Sequence, residues 1–162
     1  MAANRLCQYE VYNIAVGDHD GEVDLLVPRA TSGRASVFTG HAGTVPHNRI
    51  TVPLRRFDDA VEWRALPGKV FLKVDVEGSE FRFLSGAATM LRALGPNILM
   101  EIHPGAMKSA GTDVDDIKRL LSQIGYLTYR ELDAPDVQLS LSSLESGRQR
   151  NVLFDGPGQH DG

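Results

Sequence analysis

Val70-Phe71-Leu72-Lys73-Val74-Asp75-Val76-Glu77-Gly78-Ser79-Glu80 is the stretch on which the reading of this chain turns. An apolar run of strand formers ends in acids and a glycine, and a helical pattern starts at once. Open α/β sheets build ligand sites this way, with polar residues delivered at the carboxyl end of a strand. Lys73 and Asp75 stand two apart, so a strand turns both to one face. A charge inside a buried strand is costly unless paired, so a partner is expected on the neighbouring strand. Asn97-Ile98-Leu99-Met100-Glu101-Ile102-His103-Pro104 supplies it. Laid parallel, the two strands are expected to pair Lys73 with Glu101 and to bring Asp75 to His103. The set reads equally as a structural ion pair with a histidine at a strand end, or as a functional cluster.

Upstream, residues 8–16 read as a strand, and Gly17-Asp18-His19-Asp20-Gly21 as a turn. The acids of that turn lack the closing bidentate ligand of a calcium loop. Residues 22–27 alternate as a strand and are expected to pair with residues 50–55, where Pro53 predicts an edge position. The Gly-, Ser- and His-rich segment 28–48, with Arg34, His41 and His47, reads as a connector or a substrate-facing loop. A short helix is predicted from Phe57, with Asp58 as a helix cap. Residues 79–94 predict one helix, its core stripe formed by Phe81, Leu84, Ala88, Leu91 and Leu94. Asp113 with Asp116 predicts a capped second helix ended by Gly125. Residues 126–132 and 151–154 read as strands, and 156–162 as a disordered tail behind one domain of residues 1–155. Strand alternating with helix predicts an α/β fold.

At 162 residues, 42% hydrophobic and 23% charged, the chain is an ordinary globular domain with room for a core. A net charge of −4 and only short basic pairs argue against nucleic acid. No apolar run approaches the ~20 residues of a membrane span. The single cysteine, Cys7, fits a buried hydrophobe in a reducing compartment. With no apolar secretory segment at the amino terminus, a cytoplasmic location is expected.

Lys73-Val74-Asp75-Val76-Glu77-Gly78-Ser79-Glu80, then Leu84-Ser85-Gly86-Ala87 and Ile98-Leu99-Met100-Glu101-Ile102-His103-Pro104, resembles the FkbM-type family of S-adenosylmethionine-dependent methyltransferases. Asn13-Ile14-Ala15-Val16-Gly17-Asp18 and Asn151-Val152-Leu153-Phe154 fit the same pattern in the same order. The resemblance implies a partial Rossmann-like class I methyltransferase sheet, lacking its first two strand–helix units and the glycine-rich cofactor turn. It implies methylation of a sugar or natural-product hydroxyl, with His103, Asp75 and Glu77 catalytic and His103 as general base. Asn13, Ala15 and Asp75 would face the S-adenosylmethionine. A sheet without those strands exposes an edge, for which closure by the early strand beside the Lys73 strand, or an edge-to-edge homodimer, is the expectation. Two other readings stand beside it: a non-catalytic or partner-dependent remnant of the fold, and a metal-dependent hydrolase using Asp75, Glu77, Glu101 and His103.

Overall fold

The computed structural model describes residues 9–28 and 47–157, and for Pro28 and His47 the backbone only. Cys7, Arg34 and His41 lie outside these residues. The described chain forms two sheets. The smaller contains β1 (Ala15–Gly17), β2 (Gly21–Pro28) and β3 (His47–Arg56) in the order β1-β3-β2. The larger has β4 (Phe71–Val74), β5 (Asn97–Ile102), β6 (Thr128–Glu131), β7 (Leu139–Ser140) and β8 (Arg150–Phe154), ordered β4-β5-β8-β6-β7. β4 and β5 run parallel, and the other pairs of this sheet antiparallel. The result is a mixed α/β fold.

β2 pairs with β3 as expected, with Val23 opposite Val52 and Leu25 opposite Ile50. Pro53, however, lies in a central strand. β1 runs parallel along the other side of β3 but reaches only Leu54 to Arg56, so Pro53 falls just beyond that pairing, where its missing N–H costs nothing. β1 is also far shorter than the strand read over residues 8–16, and it pairs with β3, not with β4. The expected closure of the sheet by the early strand does not occur.

The helices are α1 (Phe57–Ala60), α2 (Glu80–Gly86), α3 (Ala88–Leu94), α4 (Pro104–Ser109) and α5 (Val114–Ile124). α5 carries the predicted capping box, with Asp113 and Asp116 exchanging bonds at 3.0 Å, and ends at left-handed Gly125. The single helix read over 79–94 is two. Asp58, at the start of α1, accepts from the N–H groups of Thr89 and Met90 at 2.8 and 2.9 Å. Those groups therefore do not bond back along one continuous helix, and Asp58 caps α3 from 31 residues away. The break shifts the core stripe to Phe83, Leu84, Ala87, Met90 and Leu91, leaving Leu94 exposed.

One face of the larger sheet, with Val74, Ile98, Met100, Ile102, Val152 and Phe154, is buried in a core shared with α2, α3 and α5. On the opposite face Phe71 and Lys73 are exposed and Leu99 and Glu101 half-buried. A parallel sheet covered on both faces would read as continuously apolar; here β5 alternates instead. The smaller sheet docks through α2, where Gly86 sits against the backbone of Gly17. The expected tail is in part ordered: Gly156 donates to Asn97 Oδ1 at 2.8 Å and is buried over Gly95. Residues 158–162 lie outside those described.

Candidate functional site

β4 hands the chain to a tight turn in which Ser79 N–H donates to the Val76 carbonyl at 3.2 Å. Its two central residues both have positive φ, Glu77 at 47° and Gly78 at 100°. Glu77 is the one non-glycine residue with positive φ among those described, a conformation costing about 1–3 kcal/mol that surrounding structure must impose. The imposition is visible. A Cβ on Gly78 would stand 2.9 Å from the carbonyl carbon and oxygen of Ala106, so the turn is pressed onto the first turn of α4. That helix is capped by His103, whose Nδ1 accepts from Ala106 N–H at 3.1 Å. Ala106 thus ties the turn after β4 to the end of β5.

Glu80 completes the cluster. It is 1% exposed, and its Oε1 accepts from Gly78 N–H at 2.9 Å. Its Oε2 is buried without a hydrogen-bond partner. Burial, with the Glu77 charge adding to it, raises the Glu80 carboxyl above the usual carboxylate range, against the opposing pull of the Gly78 N–H and His103. Glu80 is held toward its neutral form.

The other predicted residues are placed less closely. The Lys73–Glu101 pair does not form. The register sets Lys73 beside Leu99, short of Glu101. Lys73 instead reaches Asp75 at 2.9 Å, on an open face where both are exposed enough to be solvated. Glu101 accepts from Gln149 Nε2. The pairing of β4 with β5 ends at Val74 opposite Met100, so no strand pairing sets Asp75 beside His103. Ala15 lies in β1 of the smaller sheet and Asn13, exposed, in the coil before it, and no hydrogen bond among the described residues joins either to Asp75.

The cap that His103 places on α4 also fixes its tautomer. A ring nitrogen that accepts a backbone N–H is unprotonated, so the neutral ring carries its proton on Nε2. A cleft of about 420 Å³ opens along α4 and the start of α5, with Pro104, Lys108, Thr112, Asp113 and Ser146 in its lining, and none of Asp75, Glu77, Glu80 or His103 lines it. Among the described residues no three His, Cys, Asp or Glu converge as metal ligands. The Asp18 turn is structural: Asp20 accepts from Arg56 N–H at 3.1 Å, and Asp18 pairs with His19.

An acid-bearing turn and a histidine cap, locked together at the ends of two adjacent parallel strands, fit the family whose sequence pattern the chain carries. The family model for the methyltransferase FkbM domain matches residues 2–128. The chain belongs to the FkbM methyltransferase family. No curated protein and no solved structure gives a match. The matched region of the FkbM domain holds the whole Glu77–Glu80–His103 cluster, while β8, central to the larger sheet, lies beyond it. No helix among the described residues of this FkbM domain is long and apolar enough to cross a membrane.

Sequence reasoning missed Glu80 as part of the site and treated it as a helix-start residue. Its signal was there: an acid three residues after Glu77, across the only glycine that the turn allows.

Proposed function

We propose that this FkbM domain transfers a methyl group from S-adenosylmethionine to a hydroxyl of a sugar or natural product, at the carboxyl ends of β4 and β5. The observation that carries this reading is the contact of Gly78 with Ala106, which unites Glu77, Glu80 and His103 at the strand ends where α/β sheets bind ligands. The residues fit the methyl-donor end of such a cofactor: Glu77, and Asp75 alongside its Lys73 partner, are acids suited to a cationic sulfonium. When bound, S-adenosylmethionine supplies an activated methyl group with its own leaving group, so the chain's task is proximity, orientation and proton removal.

In this reading the Nε2–H of His103 donates to the acceptor oxygen and orients it. Glu77, charged and rigidly held, takes the hydroxyl proton. Glu80, neutral and bonded to Gly78 N–H, fixes the turn that carries Glu77. The cleft along α4 offers polar groups, from Lys108, Thr112, Asp113 and Ser146, to a hydroxyl-bearing acceptor. Asn13 and Ala15 would reach the cofactor from the smaller sheet.

Titration calorimetry of S-adenosylmethionine and its demethylated product into the 162-residue chain tests this. Micromolar binding that weakens in Asp75→Asn or Glu77→Gln is the expected result. A folded protein with no heat of binding would overturn autonomous activity and favour the second reading, a non-catalytic or partner-dependent methyltransferase fold. That reading has its own support in β4, which among the described residues has a neighbour on one side only.

A further inference from the structure

A second cavity, of about 330 Å³, lies between the latter half of α5 and the segment from β7 to Ser143. It is at the other end of the molecule from Glu77 and His103. β6 runs antiparallel to β8, and β8 to β5, so β6 begins at the end of the sheet where β5 begins. Leu127, just before β6, lines the cavity there, away from the carboxyl ends of β4 and β5.

The polar lining comes from two walls. Lys118, Arg119 and Ser122 belong to α5, where Ser122 stands four residues after Lys118 and three after Arg119, so the three share one face. Ser140 and Ser142 form the opposite wall, which is held in place by the Leu141 N–H donating to the Leu127 carbonyl at 2.8 Å. Leu127, 57% exposed, adds an apolar rim. Cations toward the carboxyl end of a helix are favoured by its dipole, so Lys118 and Arg119 by themselves mark no ligand. Their acid partners, however, are Asp115 and Asp116, one turn back at 2.9 and 3.3 Å, and neither acid lines the cavity. Each pair engages one nitrogen and leaves the cation further N–H donors. The Ser140 and Ser142 hydroxyls lie 2.8 Å apart. One donates to the other, and the acceptor keeps its own O–H for a further partner. Charged and neutral donors thus converge where no described carboxylate competes.

We infer that this cavity binds a phosphate monoester of a small organic molecule. Its phosphoryl oxygens are held by Lys118, Arg119 and the serine hydroxyls, and its organic part lies against Leu127. A phosphoryl group presents three acceptor oxygens where a carboxylate presents two, which suits donors arriving from two walls, and the guanidinium fork matches it. The volume is that of a small-ligand pocket.

Amide NMR titration of the 162-residue chain with phenyl phosphate, inorganic phosphate and phenol tests this independently of methyl transfer. Phenyl phosphate is expected to bind with a Kd of ~1 mM or tighter and to move the amides of Arg119, Leu127 and Ser142. Inorganic phosphate and phenol should bind more weakly. Arg119→Gln should weaken the ester by about tenfold and Ser142→Ala by about threefold. Exposed ion pairs such as Arg119 with Asp116 contribute little to stability, and Ser142→Ala leaves both cations in place, so at least one variant reads binding in a folded protein. Amides that stay still at about 20 mM phenyl phosphate overturn the proposal. Phenol binding as tightly as the ester overturns it too, as does an affinity unchanged in both variants, which would place the phosphate elsewhere. Inorganic phosphate binding as tightly as the ester overturns the role given to Leu127.

Discussion

Gly86 lies against the carbonyl of Gly17 so closely that a Cβ on Gly86 would stand 1.8 Å from that oxygen. This contact joins α2 to β1 and so docks the smaller sheet. Gly86→Ala is expected to cost about 3 kcal/mol or more, since backbone on both sides must move. Gly17→Ala is the control: its Cβ would meet the tip of Leu54 at 3.0 Å, a flexible side chain, and should cost only about 1 kcal/mol. Urea unfolding of the two variants measures the difference.

The break between α2 and α3 depends on Asp58. Replacing it by Ala strands two N–H groups and should lower stability by about 1–2 kcal/mol, with Asp58→Asn, which keeps one acceptor, falling between. Equal losses for both variants would show that the carboxylate does not hold the α3 start.

His103 has a structural task separable from any chemistry. His103→Ala removes the α4 cap at a cost of about 1 kcal/mol, whereas His103→Asn, a good capping residue, should recover most of it. If methyl transfer needs the Nε2–H, both variants lose activity while only one loses stability. Thermal denaturation beside a transfer assay distinguishes the two effects.

Glu80 makes stability depend on pH in a predictable direction. Its folded carboxyl is raised above the unfolded one, so the folded state binds the proton more tightly. That stability is fully present below the ordinary carboxylate range and is lost as pH rises through the folded value. Glu80→Gln has no such loss. Its melting temperature relative to the parent should therefore climb from acid toward neutral pH, and a difference that stays flat would place Glu80 in water.

Glu77 holds a left-handed backbone that glycine adopts without strain. Glu77→Gly should stabilise the fold by about 1 kcal/mol while removing the proposed proton acceptor. Stability gained with transfer lost is the expected pairing, read by unfolding and by activity on the same preparation.

Much of the fold was legible in local pattern. The capping box at Asp113, the β2–β3 pairing and the β4 and β5 strands each follow from residues within a few positions of one another. What escaped is long-range. The residues of 79–94 allow one continuous helix, and nothing within them says that Asp58 will take the Thr89 and Met90 donors. Two stripes at helical spacing run through that segment, and only the break decides that Phe83, Ala87 and Met90 go inside while Leu94 stays out. The Lys73–Glu101 pairing failed on register: alternation tells which face a residue occupies but not how far the neighbouring strand slides. At the site, His103 and Glu77 were legible from their strand ends. The role of Glu80 was not, because its burial is set by Ala106 and the α4 turn pressing from another part of the chain.

The insertion of β8 between β5 and β6 governs the order in which this molecule can assemble. Ile98 pairs with Phe154, and Tyr129 reaches the sheet through that same Phe154. A chain emerging residue by residue would have made all that identifies its family, through residue 128, and still present β5 as a raw, sticky border, with β6 only begun and β8 not yet made. Slow closure of such distant pairings makes this interval the time when the nascent protein most needs shielding, and a piece cut at the family boundary should fail to fold at all.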